Sequence, residues 1–305
     1  MKKVSILTLS LIMLAGIARA EDSVALQNVN SKIEAVQNSC SGIKSNLNTI
    51  FGLSVTTTVS SGLGTITSGG ALAVGIAKAK TDKNIENNYK KIETMNYNEM
   101  VEELTKLKTE ISEDTKKSKT LGNVRTGLMA GATATSAVST GTSLGATLTA
   151  TKLAEKMMQC NADLQALKLA KSELEAEGET NEKADKILSV CTGYDEANIK
   201  SLKSLATANT IVSGIGTATA GAGTITSAMA NSKKVRAGDK KKEKSLNLAS
   251  NILAGVTMGT SATSTTLSAV QISKAKKDSD KYSKKYEEYS DDLSKNVAES
   301  KIKAL

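Results

Sequence analysis

The chain has 305 residues, 40 Lys and Arg against 31 Asp and Glu, and a formal charge of +9. It has no His, no Pro and no Trp, one Phe, six Tyr and three Cys. Without His, imidazole-based catalysis and His-ligated metal sites are excluded; without Pro, long unbroken helices are favoured, since Pro costs about 3 kcal/mol inside one.

The N-terminus reads as a secretory signal peptide over residues 1–20. Lys2 and Lys3 precede a 13-residue apolar run, SILTLSLIMLAGI, and Ala18-Arg19-Ala20 is a small-x-small cleavage site. The apolar run is short for a membrane span, which needs about 20 residues. The expectation is export to a periplasm, a cell surface or the exterior. The 285 residues that follow carry 37 basic and 31 acidic side chains.

Next comes a seam at alternating spacings of three and four: Leu26, Val29, Ile33, Val36, Cys40, Ile43, Leu47 and Ile50. It predicts an amphipathic, coiled-coil-like helix. Further seams run Leu153, Met157, Cys160, Leu164, Leu167, Lys171, Leu174 and Ala184, Leu188, Cys191. Cys40, Cys160 and Cys191 all sit on seams, where they are either small core residues or disulfide candidates. Cys160–Cys191 is the pair nearest in sequence, and Cys40–Cys191 is as defensible.

Four blocks lack charge altogether: 33 residues between Lys44 and Lys78, 26 between Arg125 and Lys152, 29 between Lys203 and Lys233, and 29 between Lys244 and Lys274. All are rich in Gly, Ala, Ser and Thr. The first contains SGLGTITSGG at 61–70 and the third SGIGTATAGA at 213–222. Their stripes Val59, Leu63, Ile66, Gly70, Ala73, Ala77 and Ile211, Ile215, Ala218, Ala222, Ile225, Met229 share one spacing and are expected to be the packing seams. NVRTGLMAG at 123–131 resembles NILAGVTMG at 251–259 more loosely.

The expected fold is all-α: an elongated antiparallel helical bundle or coiled coil of two duplicated hairpin units, 21–175 and 176–305, with the charge-free blocks as packing segments. Turns are expected near 94–96, Gly178 and Gly238, and a break near 118–122. Small residues let helix axes approach more closely than the usual ~8–10 Å.

The motifs tested carry no chemistry. Gly141–Gly145 matches the GxSxG elbow around Ser143, but no His exists to serve as base. Gly62 and Gly64, and Gly214 and Gly216, open like dinucleotide loops without the third Gly. Asp278 and Asp280 lack the remainder of a calcium loop. The run of Lys233, Lys234, Arg236, Lys240, Lys241 and Lys242 lacks the aromatic interleaving of a nucleic-acid module, and suits a solvated hairpin tip or an anionic lipid surface.

The expectation is an exported, non-enzymatic structural or interaction protein of the envelope or exterior. It needs no cofactor, metal, nucleic acid or small-molecule substrate, and its partner is itself or another envelope protein. The alternative is a membrane-active protein, pore-forming or translocator-like, whose hairpins enter a bilayer. Residues 54–77 hold only seven Val, Leu and Ile, worth about 0.3–0.6 kcal/mol each on insertion. On that average, packing in water is the expected resting state.

Overall fold

The structure, a computed structural model, describes residues 23–191 and 193–303; residues 1–20, read above as a signal peptide, lie outside them. About 94% of the described residues are helical and none is in a strand. The helices are α1 (Val24–Cys40), α2 (Ile43–Thr94), α3 (Tyr97–Ala176), α4 (Glu182–Val190), α5 (Glu196–Asn231), α6 (Lys233–Gly238) and α7 (Lys240–Lys303).

Local chemistry explains where the helices start and stop. The Ser23 hydroxyl accepts from the Leu26 N–H at 3.1 Å and caps α1. The seam expected as one helix from Leu26 to Ile50 is cut at Ser41–Gly42, because Gly42 takes φ +73°, a left-handed conformation that ends a helix. Gly178, at φ +83°, ends α3: the Glu179 N–H reaches back to the Leu174 carbonyl at 3.2 Å. The Asn181 side chain then accepts from the Lys183 and Ala184 N–H groups and opens α4. The α2–α3 turn lies at 95–96. The break expected near 118–122 is absent, and α3 runs through it for 80 residues. The turn near Gly238 contains the short helix α6, capped by Ser232.

The chain divides into two compact units that interleave along it. One comprises the described part of Met1–Asn48 with Thr151–Lys200 and Lys277–Leu305; the other is Thr49–Ala150 with Ser201–Lys276. This spatial division cuts across the hairpin boundary expected at 175/176.

In the first, the disulfide unit, α1 packs on α4. Its core holds large aliphatic side chains: Val29, Ile33, Val36, Leu153, Met157, Leu164, Leu167, Leu174 and Ile187 are all buried. Lys171, only partly exposed, pairs with Asp185 at 2.6 Å and Glu175 at 2.9 Å. Its hydrogen bond to Asp185, then that to Glu175, raises its pKa.

The disulfide joins Cys40 to Cys160, with Cα atoms 5.0 Å apart. This corrects both pairings weighed from sequence. Cys40 and Cys160 occupy buried seam positions on helices that face each other, and beside them the Lys156 ammonium donates to the Ser41 carbonyl at 3.1 Å. Cys191 terminates α4 and is free and half-buried; burial pushes its thiol pKa up. Nearness along the chain misled because the partner is set by which helix face meets which.

Candidate functional site

In the second unit, segments of α2, α3, α5 and α7 form an up-down-up-down ring. Hydroxyl pairs define its order. Thr57–Thr142, at 2.7 Å, joins α2 to α3. Thr140–Thr217 at 2.8 Å and Thr147–Thr210 at 2.9 Å join α3 to α5. Thr219–Thr257 at 3.0 Å joins α5 to α7, and Ser61–Ser264 at 2.9 Å closes the ring.

On the axis, a buried serine from each helix meets the others: Ser61, Ser139, Ser213 and Ser264. Ser61–Ser139 are 2.7 Å apart, Ser139–Ser213 3.1 Å and Ser213–Ser264 2.9 Å. Ser264 donates to the buried Asn209 Oδ1 at 2.6 Å, and Asn209 Nδ2 donates to Ser268 at 2.7 Å. Ser54, Ser68, Ser136, Ser143, Ser227, Ser250, Ser261 and Gln271 are buried as well. Ala71, Met129 and Ala254 form a small apolar layer within this polar interior. Close approach depends on glycine: a Cβ on Gly223 would lie 2.3 Å from Met129 Cε, and one on Gly64 would lie 3.0 Å from Ser261 Oγ.

The outside is the reverse. Along α2 the exposed positions from Val55 to Ala77 are Val55, Thr56, Val59, Leu63, Ile66, Ala73, Ile76 and Ala77. Along α3 they include Val124, Val138, Leu144 and Leu148; along α5, Ile211, Ile215, Ile225 and Met229; along α7, Leu248, Ile252, Val256 and Val270. Ile66 is 71% exposed and Ile225 62%. An apolar patch of such extent is unusual on a monomer in water, where the largest are a few hundred Å².

The threonines follow the same logic. In the charge-free segments every threonine hydroxyl from 56 to 67, 126 to 149, 207 to 226 and 257 to 266 lies within hydrogen-bonding distance of the carbonyl four residues earlier, as in Thr56 to Gly52 (3.1 Å), Thr149 to Gly145 (2.9 Å), Thr226 to Ala222 (3.0 Å) and Thr263 to Gly259 (2.9 Å). Each donor has an acceptor in its own helix or, for the paired threonines, in the neighbouring one, and needs no water.

Charge returns at the end of the ring where α2 meets the start of α7. Lys78, 1% exposed, pairs with Asp82 at 2.6 Å and Glu243 at 2.9 Å. Arg125 is fully buried and held by a neutral residue: Nη1 donates to Asn247 Oδ1 at 3.1 Å and Nη2 to the Asn247 carbonyl at 2.9 Å. Burial lowers its pKa to about 10, so the guanidinium stays charged at neutral pH.

The stripes expected to be packing seams are thereby corrected. Val59, Leu63, Ile66, Ala73, Ala77, Ile211, Ile215, Ala218, Ala222, Ile225 and Met229 are exposed, and Gly70 is half-buried, its would-be Cβ 3.4 Å from Leu128 Cδ1. The faces that pack are the neighbouring stripes, Ser61, Gly64, Ser68, Ala71, Gly75 and Ser213, Gly216, Ala220, Gly223, Ser227. Their spacing was visible in the sequence, but their chemistry marked them as the wetter side. Ser143 of the GxSxG pattern is buried and donates to the Ser139 carbonyl at 2.6 Å, so that match is taken up by packing.

Among the described residues no cluster of three or more His, Cys, Asp or Glu could hold a metal ion. Among the same residues one stretch, within Val24–Thr94, is long and apolar enough to cross a membrane; a third of it is buried. Comparison with protein-family models, curated proteins and solved structures finds no match for this chain.

Proposed function

We propose that this is an exported, non-enzymatic helical protein whose hydroxyl-cored unit works inside a lipid bilayer, the disulfide unit being the part built for water. The observation that carries the reading is the inversion: hydroxyls, amides and Arg125 line the interior, while Val, Leu, Ile, Ala and internally bonded Thr face outward. In hydrocarbon polar groups have to find partners inside the protein, as Ser61, Ser139, Ser213, Ser264 and Asn209 do, and cross-helix hydroxyl bonds contribute about 0.6 kcal/mol each. In water the same arrangement leaves many aliphatic side chains hydrated, when burying one fully is worth about 1.5–3 kcal/mol.

This reading also accounts for the low average hydropathy of the blocks. The Ser and Thr that depress it are turned inward or bonded to their own helix, so only an assembled bundle presents an apolar surface. From Phe51 to Ala77 an α-helix rises about 40 Å, enough for a hydrocarbon core of about 30 Å. Duplication of a hairpin fits the arrangement: Ser61 and Ser213 stand in the two matching decapeptides and meet the same partners, Ser139 and Ser264. A second reading keeps the inversion but covers the apolar stripes with further copies of the chain; their 4-3-4-3-4 spacing and small residues, Ala218 and Ala222 among them, favour it.

Flotation with phosphatidylcholine vesicles tests the choice. The wild-type chain should rise with the lipid. Ile66→Lys with Ile215→Lys, at about 3 kcal/mol per insertion, should leave it in the aqueous fraction with unchanged helix content. A wild-type chain that stays aqueous and monomeric refutes both readings. One that stays aqueous but self-associates, and dissociates when the two lysines are introduced, selects copy-to-copy packing.

A further inference from the structure

At the charged end of the hydroxyl-cored unit lies a cleft of about 790 Å³ between α2, α3, α6 and the start of α7. Its charges are unevenly used. Asp82 is taken by Lys78 and by the Ser118 hydroxyl at 2.5 Å. Glu243 is also taken by Lys78. Glu86 binds Lys244 at 2.6 Å and Lys90 at 3.3 Å. Lys119, Lys233, Arg236 and Lys240 line the same cleft with no carboxylate partner among the described residues. Buried Val235 pins α6 and so holds Arg236 at the wall, and the Lys240 ammonium lies 4.9 Å from the centre of the Tyr89 ring.

The cleft opens where the apolar exterior stops: Ile76, Val124, Met229 and Leu248 are its last exposed large apolar residues on the four helices. A ligand that suits both features carries a phosphate next to hydrocarbon. We propose that this cleft seats the phosphate-bearing headgroup of an anionic phospholipid, whose acyl chains lie along the adjoining apolar face. The inference rests on the bilayer reading. A guanidinium offers a bidentate fork to phosphate, ammonium groups add point charge, and an interfacial Tyr belongs at headgroup depth. A free phosphate would gain nothing from the apolar rim.

The test compares vesicles of phosphatidylcholine alone with vesicles also containing phosphatidylglycerol, at physiological salt. Wild-type chain should partition about ten-fold more strongly onto the anionic vesicles. The variant Lys119→Gln, Lys233→Gln, Arg236→Gln, Lys240→Gln should lose that preference and keep its partition onto neutral vesicles. A control with the same loss of charge on exposed lysines outside the cleft, Lys80→Gln, Lys83→Gln, Lys241→Gln, Lys242→Gln, should retain most of it. Inorganic phosphate without vesicles should leave the melting temperature unchanged.

Equal binding of wild type to both vesicles overturns this inference alone. Equal loss in the cleft variant and the control reduces the effect to net charge and overturns it too. A phosphate-induced rise in melting temperature, abolished in the cleft variant, reassigns the cleft to a free anion. Failure to bind either vesicle removes the bilayer reading and this inference with it. Circular dichroism of each variant confirms that the helices are retained.

Discussion

The two units solve one packing problem in opposite ways. The disulfide unit puts Val29, Ile33, Leu167 and Leu174 inside. The other unit puts Ser61, Ser139, Ser213 and Ser264 inside and Ile66, Ile211 and Ile225 outside. Both are helical and both follow three- and four-residue spacing. What differs is which stripe of the helix is buried; on the proposed reading, the solvent that each exterior meets is the reason. The covalent tie Cys40–Cys160 is found in the unit with the conventional core, while the inverted unit relies on backbone approach at glycine and on hydroxyls bonded across helices.

The sharpest way to break this comparison is one substitution made in each unit. Ile33→Lys places an uncompensated charge in a core, at a cost of about 3–5 kcal/mol, and should unfold the disulfide unit. Ile66→Lys should leave helix content and melting in water unchanged to within about 0.5 kcal/mol. Circular dichroism melts decide the matter; similar losses at both sites would refute the inversion.

Reduction of Cys40–Cys160 comes next. The bond spans 120 residues of sequence, and removing such a link costs about 2–5 kcal/mol. Hydrogen exchange should quicken at 29–40 and 153–174 and stay slow at 61–77. Smaller still, Ser213→Leu should cost about 1–3 kcal/mol through overpacking. Thr263→Leu, at an exposed position whose hydroxyl bonds its own helix, should be neutral within about 0.5 kcal/mol. Denaturant titration that ranks these two in the other order would place the serines outside.

The smallest effect concerns pH. Hydrogen bonds and charge from Lys244, then Lys90, hold the Glu86 carboxyl below its ordinary 4.5. A lowered folded pKa adds stability that is present above the ordinary value and lost as pH falls through the folded one. Because Glu86 is open to solvent, an NMR titration should find its midpoint below 4.5 and moving back toward it in high salt.

Much of this was legible in the chain. The turn at 95–96, the turn at Gly178, the aliphatic seam of Val29 to Leu47 and the charge-free blocks follow from local signals. The cut at Gly42 was missed because glycine inside a good seam reads as a tolerated lapse until its backbone angle is known. The basic run of Lys233, Arg236 and Lys240 was singled out, but the cleft that it lines was not, because the facing walls, with Tyr89 and Lys119, lie more than 100 residues away in the chain.

Composition and periodicity by themselves determined that the chain is helical, that four of its segments avoid charge, and that each such segment has two unlike faces. They could not determine which face turns inward. The habit of placing aliphatic residues in the core is a statement about water, and a block with aliphatic residues on one stripe and serine on the next satisfies either arrangement. Only the tertiary structure decided it, because the serines of four distant segments must meet on one axis before their hydroxyls can satisfy one another without solvent.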